Sequence, residues 1–476
     1  MGTSTDLHTL VSFLSQHRWW IDGFHLFDFF CDNLWEQVDP EWREFVDAAS
    51  GDFMEHLLHV ATGGQIPEMW PESLKAVMCI ARTLALGRRV ERDEEIGILP
   101  EEDVVYDDEA CRLAAMSRKK LHEVDRLSRV IFRVAERQNA DSIIDVGAGH
   151  GYLTHLLAHQ NPSRRIYAID CDDARTCGSK DRGTRIVLSN HHRHPTRIIA
   201  EHQKENPVIY VTARLDPQTL PEILEAHRYV LVGLHSCGDL SGLTMLRTFL
   251  ECEGVKGIVV VGCCYHRICV DREDDESQLG FPLSNNVRSL IQVHHPSFSL
   301  TYRSLTTACL TFASFDNPST ILSALRGHYH RSLFELLLRS WEPAHTLPPG
   351  QHRVGGLPKA ASTDFRSYCV AACTKLGLCT SDERRGSLID AIGKVEVDRE
   401  KMMRRIAFMC VMRSFFGPCV ESLVLLDRMM YLKEGLGIPL DQDKHEGKGR
   451  VWLNNLFDYA ESPRNMVVVA EKATCV

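Results

Sequence analysis

The spacing of apolar residues changes along the chain, and each change predicts an element. Apolar positions recur every three or four residues through Leu26 to Trp35 and Leu74 to Leu86, with Gly87 closing the second run, so residues 1–110 predict a helical lobe. Val90 to Glu109 is acidic and weakly periodic, which predicts an exposed linker. From Ser117 the helical period returns. Leu121, Val124, Ile131 and Val134 share one face, and Arg118, Lys119, Lys120, Arg126, Arg129, Arg133 and Arg137 fall mostly on others. Such a basic face either guides phosphates or simply meets solvent.

Short β-rich runs follow: Ser142 to Asp145, Arg165 to Asp170, Val208 to Leu215, Tyr229 to Leu234 and Gly257 to Gly262. Separated as they are, they predict the strands of an α/β doubly wound sheet. Farther on, Ile321 to Leu338 and Val420 to Leu432 have helical spacing, the latter between Gly417-Pro418 and Gly435, and Pro343 to Ser362 reads as a loop. Val451 to Phe457 and Met466 to Ala470 read as an antiparallel strand pair across a short turn containing Pro463. His191, His192, Arg193 and His194 lack a second cluster at ligand spacing and read as a surface loop.

Composition narrows the class. With 476 residues, 44% of them hydrophobic, the chain can bury a large core in more than one lobe. A net charge of −10 argues against a general nucleic-acid coat, yet leaves room for a local basic patch. The 17 cysteines are odd in number and scattered, and MGTSTDLHTL lacks a secretory pattern. We expect reduced thiols, no disulfide-linked partner, and a cytoplasmic or nuclear location. Ile406 to Leu432 is the most apolar C-terminal stretch, but Arg413, Glu421, Asp427 and Arg428 interrupt it, so no membrane span or membrane partner is expected.

The segment that organises the rest is SIIDVGAGHGYLT, Ser142 to Thr154. A strand ends on Asp145, Gly147, Gly149 and Gly151 alternate, and an apolar helix opens at Tyr152. Glycines accept the strained turn and let a ligand approach the backbone, while the helix start offers free N–H groups. The dinucleotide pattern G-x-G-x-x-G is not met, because Tyr152 or Thr154 stands where its third glycine belongs. D-x-G-x-G-x-G instead resembles motif I of the class I S-adenosylmethionine-dependent methyltransferases; another nucleotide, or a purely structural turn, are the alternatives. The resemblance implies S-adenosyl-L-methionine as cofactor, with Asp145, Gly147, Gly149 and Gly151 at its methionine end. Asp170, at the end of the second strand, suits the ribose hydroxyls. Asp216, past the third, is implied at the adenine amino group.

Chemistry-bearing residues gather after two later strands, in His235-Ser236-Cys237-Gly238-Asp239 and Cys263-Cys264-Tyr265-His266. Ligands sit outside the carboxyl ends of strands in open α/β sheets, so these clusters should face each other where the methyl group is delivered. His235, Cys237, Asp239, Tyr265 and His266 are therefore the expected acceptor-side, catalytic residues, with either histidine as base or substrate orienter. A zinc site built from His235, Cys237, Cys263, Cys264 and His266 is disfavoured, because C-x-x-C spacing is missing and adjacent cysteines chelate awkwardly. The cysteines also fit as small core residues.

GLHSCGDL (Gly233 to Leu240), VGCCYH (Val261 to His266), KKLHEV (Lys119 to Val124), LLDRMMYL (Leu425 to Leu432), SPRN (Ser462 to Asn465) and FDFFCDNLW (Phe27 to Trp35) together resemble the methyltransferase-like protein 25 family, most of all its 25B branch, ribosomal RNA adenine dimethylase domain-containing protein. The paired cysteine strand ends are also similar to those of transfer-RNA 2′-O-methyltransferases of the Trm-thirteen type. The second resemblance implies an RNA acceptor slightly ahead of protein, and the size of the helical lobe and insertion suggests a macromolecular methyl acceptor, RNA or ribosome-associated. Adenine dimethylation is not implied, since the Asn- or Asp-Pro-Pro-aromatic motif of that reaction is absent.

The expected architecture is a class I, Rossmann-like seven-stranded sheet. The helical lobe spans 1–110, the cofactor core 111–284 and a mainly helical insertion 285–440, with the strand pair in 441–476 completing the sheet. The rival readings are a catalytically silent scaffold of the same fold and a zinc-stabilised RNA-binding module.

Overall fold

The computed structural model describes residues 6–49, 51–100, 116–193, 208–218, 220, 228–271, 279–312, 318–341, 344, 354–379, 381–395 and 397–473, with the backbone alone for 185–193, 359 and 362. The chain forms two compact units. One comprises Met1–Gln16, Leu84–Cys309 and Cys419–Val476, the other His17–Thr83 and Leu310–Pro418. The boundaries thus fall elsewhere than expected. Asn285–His294, the end of the long helix Arg399–Leu436 and the first helix, Leu7–Gln16, belong with the sheet, whereas residues 17–83 share a unit with residues 310–418.

The first unit is built on a mixed sheet of order β3-β2-β1-β4-β5-β8-β7-β6. Its strands are β1 (Ser142–Val146), β2 (Arg165–Asp170), β3 (Val208–Thr212), β4 (Tyr229–Ser236), β5 (Val255–Gly262), β6 (Lys444–His445), β7 (Gly449–Asn455) and β8 (Met466–Lys472). β1 to β5 run parallel, and β8 enters antiparallel beside β5, with Val259 opposite Val469. Seven strands were expected. The eighth is β6, whose two residues pair with Arg450 and Gly449 of β7, too short a run to show in hydrophobic spacing. The third strand also stops at Thr212 rather than Leu215.

β1 is buried along its whole length, as a central parallel strand covered on both faces must be, whereas the edge strand β3 is partly exposed. The helix Arg118–Arg137 covers one face. Val124, Leu127, Val130, Ile131 and Val134 join Ile143, Val230, Val232, Val259, Val467 and Val469 in one core. Gly257 permits this approach, because a Cβ there would lie 2.6 Å from Val134 Cγ1. Each such buried aliphatic contributes about 1.5–3 kcal/mol, several times an exposed ion pair, so burial fixes the helix orientation. Three of the basic residues of this helix find partners inside the unit. Arg126 donates to the Leu99 and Leu456 carbonyls, Arg129 to Asp125, and Arg137 to Glu471.

The expected acidic linker is more ordered than its composition suggests. Ile96 and Ile98 are buried in the same core, and Asp93 bridges to Ile98; the rest of that segment, 101–115, lies outside the described residues. The helix Asp173–Arg193 reaches the first three residues of the His191–His194 stretch, where a loop was expected.

Arg399–Leu436 is one continuous helix with Pro418 inside it, where sequence places a start after Gly417-Pro418. Proline removes one backbone donor and usually ends a helix. Here the passage between units falls at Pro418/Cys419 without ending it. An 18-residue window of this helix is apolar enough to cross a membrane, but 94% of the window is buried within the protein, as in a core helix.

In the second unit the N-terminal aromatic residues form core. Trp20, Phe24, Phe29, Trp35 and Trp42 are buried, and Trp20 stacks on Phe416 with ring centroids 6.3 Å apart.

Candidate active site

The turn after β1 is held open by three left-handed glycines, with φ of +70° at Gly147, +56° at Gly149 and +75° at Gly151. Their surroundings differ. A Cβ on Gly151 would stand 2.0 Å from Ser179 Oγ, so that glycine is required by packing below the turn. A Cβ on Gly149 would meet only the Gly147 carbonyl oxygen, at 3.8 Å. The middle of the turn therefore offers bare backbone to a ligand.

Asp170 closes the turn from β2. Its Oδ2 accepts from the Gly149 N–H at 2.9 Å and its Oδ1 from the Asp172 N–H at 3.0 Å. A carboxylate has about four acceptor positions, so both oxygens keep capacity for ribose hydroxyls. Asp145 sits differently. It is buried, accepts from Thr154 Oγ1 at 2.6 Å, and burial pushes its carboxyl up to about 6. The expected ligand-facing acid thus ties the end of β1 to the helix Tyr152–Gln160. Asp216 is exposed beyond β3, and its Oδ1 accepts from Gln218 N–H at 2.8 Å.

At the end of β4 the pairing with β5 shifts register between Leu234 and Ser236, and His235 adopts φ +58°. A bulge of this kind re-aims a side chain at the cost of about 1–3 kcal/mol of backbone strain. His235 Nε2 lies 3.0 Å from Glu123 Oε2 on the helix Arg118–Arg137. Glu123 is almost wholly buried and also accepts from Ser462 Oγ at 2.9 Å. Burial alone would raise its carboxyl, but His235 and Ser462 outweigh burial and hold it below the usual value. Glu123 was not among the expected site residues; KKLHEV carried the signal, without a reason to pair it with a strand end.

The two cysteine-bearing ends meet. Cys237 Sγ is 3.4 Å from Cys263 Sγ, which is 3.5 Å from Cys264 Sγ. The hydrogen bond from Cys263 lowers the Cys237 thiol to about 5, against burial, and the same bond pushes Cys263 up. His266 Nδ1 lies 3.7 Å from Cys309 Sγ.

Two expected acceptor-side residues are committed elsewhere. Tyr265 is buried, and its hydroxyl donates to Glu421 Oε1 at 2.9 Å. Glu421 accepts as well from Arg88 at 2.5 Å and Arg464 at 3.0 Å. Burial would raise the Glu421 carboxyl, but the two guanidinium groups outweigh it and hold it low. Asp239 turns back to accept the Cys269 N–H on both oxygens, at 3.0 and 3.2 Å. Both residues brace the strand ends.

The remaining motifs enter the same framework. Asp427 accepts from Leu283 N–H, Ser284 N–H and Ser284 Oγ, and Arg428 lies 5.7 Å from the Tyr265 ring centroid. Asn465 donates to the Arg88 and Phe457 carbonyls. Repeated polar motifs far apart in sequence marked these positions, but spacing along the chain does not show which of them meet.

Strand order 3-2-1-4-5 with an antiparallel strand beyond, and a glycine turn closed by the acid of β2, define a class I methyltransferase domain. The cofactor of that class is S-adenosylmethionine. The open Gly149 and the spare acceptor positions of Asp170 fit it. Residues 119–270 match the family described as "Methyltransferase domain".

Two relatives are named "Probable methyltransferase-like protein 25". The mouse protein (Mus musculus) is 27% identical over 272 residues, 56% of this chain but only 41% of its own length. The human protein (Homo sapiens) is 28% identical over 480 residues, covering 75% of each chain. Among solved structures, M. capricolum TrmK in complex with S-adenosyl-homocysteine covers 55% of this chain and 98% of its own, at 11% identity and a TM-score of 0.20, a likeness too slight to bear on this chain.

Proposed function

We propose that this protein transfers the methyl group of S-adenosylmethionine to a macromolecular acceptor, RNA ahead of protein. The observation that carries the reading is the His235–Glu123 pair, 3.0 Å apart at the carboxyl end of β4, in the same row of strand ends as the glycine turn and Asp170. The cofactor supplies an electrophilic methyl carbon on a sulfonium. The chain supplies proximity, alignment and a place for the acceptor's proton. With Glu123 on Nε2, the imidazole is oriented so that Nδ1 takes that proton, and the buried carboxylate stabilises the imidazolium that forms. RNA is placed first because of the resemblance of the two cysteine strand ends to transfer-RNA 2′-O-methyltransferases, whose hydroxyl acceptor needs such a base.

The test is incubation of the full chain with methyl-labelled cofactor and separate RNA and protein fractions of a cell extract. Label in RNA that disappears on His235→Gln supports the reading, and label in protein alone redirects the acceptor. Calorimetric titration with S-adenosylmethionine separates activity from a silent scaffold, since a folded chain that gives no binding heat overturns the enzyme reading.

A further inference from the structure

We propose that Cys237, Cys263 and Cys264 form a zinc site, held by three thiolates with water in the fourth position. Spacing along the chain argued against such a site, because these cysteines lack the C-x-x-C arrangement. The sheet supplies what spacing does not. β4 and β5 are parallel neighbours, so the residues just beyond their carboxyl ends are brought side by side, and Cys237 arrives beside Cys263 from 26 positions away.

The three sulfurs all lie within 4.8 Å of one another, with neighbouring pairs at 3.4 and 3.5 Å. Zinc binds thiolate sulfur at about 2.3 Å in tetrahedral geometry, which places neighbouring sulfurs roughly 3.8 Å apart. A spread of a few tenths of an ångström brings the trio to that spacing. Three sulfur donors select a soft or borderline cation over magnesium or calcium, whose ligands are oxygens.

The bland alternative is that these thiols are small core residues. The chain shows what that looks like: Cys252, Cys369, Cys373, Cys410 and Cys419 are buried. Cys237, Cys263 and Cys264 are instead all partly open to solvent, as a site that exchanges a metal and a water requires. The trio is also braced. Cys237 Sγ and Cys263 Sγ both lie against the His235 carbonyl oxygen, at 3.3 and 3.4 Å. Next along the two strand ends, Asp239 accepts the Cys269 N–H, and the Tyr265 hydroxyl donates to Glu421. With the thiols protonated, these contacts hold the three sulfurs together before a metal arrives, and the two S–H bonds to the His235 carbonyl are given up when a metal displaces the thiol protons. Binding displaces the thiol protons and requires no oxidant or reductant.

Elemental analysis of the full chain, purified without chelator and dialysed against metal-free buffer, tests the site. The expected result is stoichiometric zinc, lost in the Cys237→Ser/Cys264→Ser double variant and kept in Cys309→Ser and in the exposed-cysteine control Cys79→Ser. Cobalt substitution of the unaltered chain should give a sulfur-to-cobalt charge-transfer band, a readout that does not depend on a variant folding. Absence of both retained zinc and the cobalt band overturns the proposal, as does zinc that persists in the double variant or is lost from Cys309→Ser. A Cys237–Cys263 disulfide in the protein as purified also overturns it.

Discussion

Two regions at the carboxyl ends of one sheet's parallel strands are built in opposite ways. The turn after β1 is local: its glycines lie within Gly147 to Gly151, Thr154 follows directly, and only Asp170 comes from the neighbouring strand. The ends of β4 and β5 are assembled from afar. Glu123 reaches His235, Ser462 reaches Glu123, and Arg88, Glu421 and Arg464 meet at Tyr265. The first region offers bare backbone and one carboxylate. The second needs side chains held in strained or charged states, and a buried polar framework does the holding.

The sharpest test of that contrast is His235→Gln. Loss of a positioned base lowers transfer by about 10²–10⁴-fold, and calorimetry should show cofactor affinity unchanged, because the turn does not depend on β4's bulge. If cofactor affinity falls in parallel, the two regions are not separable.

Glu421→Gln is expected to destabilise the protein by about 3–5 kcal/mol, since two buried guanidinium groups lose their shared counter-charge. Urea unfolding measures this, and a loss below about 1 kcal/mol, the size of a surface pair, would show that the framework is not what fixes these strand ends.

Asp170→Asn should weaken S-adenosylmethionine by about 10–100-fold, the size of hydrogen bonds to a charged group, and should also cost about 1–3 kcal/mol of stability in urea unfolding, because the amide NH2 cannot accept one of the two backbone N–H groups that the carboxylate now holds. Gly149→Ala sharpens the same point from the backbone side. Its Cβ meets no side chain, so the stability cost is confined to the left-handed φ, about 1–2 kcal/mol, while the ligand's approach is blocked. Gly151→Ala should cost more, because its Cβ collides with Ser179 Oγ.

The smallest effect is one of slope. The folded Asp145 carboxyl, raised to about 6 by burial, binds its proton more tightly than an unfolded aspartate at about 3.9. Its contribution is therefore fully present below pH 4 and is lost as pH rises toward 6, by at most about 1.4 kcal/mol per pH unit. Asp427, also raised to about 6, adds to the same decline. Asp145→Asn should flatten the fall in stability between pH 4 and 6 without abolishing it, as followed by urea midpoints across that range.

Much of this fold was legible in the residues. β2 matches its predicted span, Arg165–Asp170, because a buried parallel strand must be a continuous apolar run. The helix expected over Ile321 to Leu338 is Pro318–Ser340. The unit boundaries were not legible, since residues 17–83 and 310–418 share a core that no local period announces. Tyr265 and Asp239 stood out by their side-chain chemistry, but their contacts with Glu421 and the Cys269 N–H could not be read from the local sequence.

By itself the sequence determined the parallel strands, the glycine turn and the acid that closes it, because those depend on spacing and backbone freedom within a few residues. Only the tertiary structure decided that Glu123 orients His235, that Tyr265 is braced on Glu421, and that three thiols share one corner. Each of those contacts joins strands or helices whose separation along the chain carries no information about their distance in space.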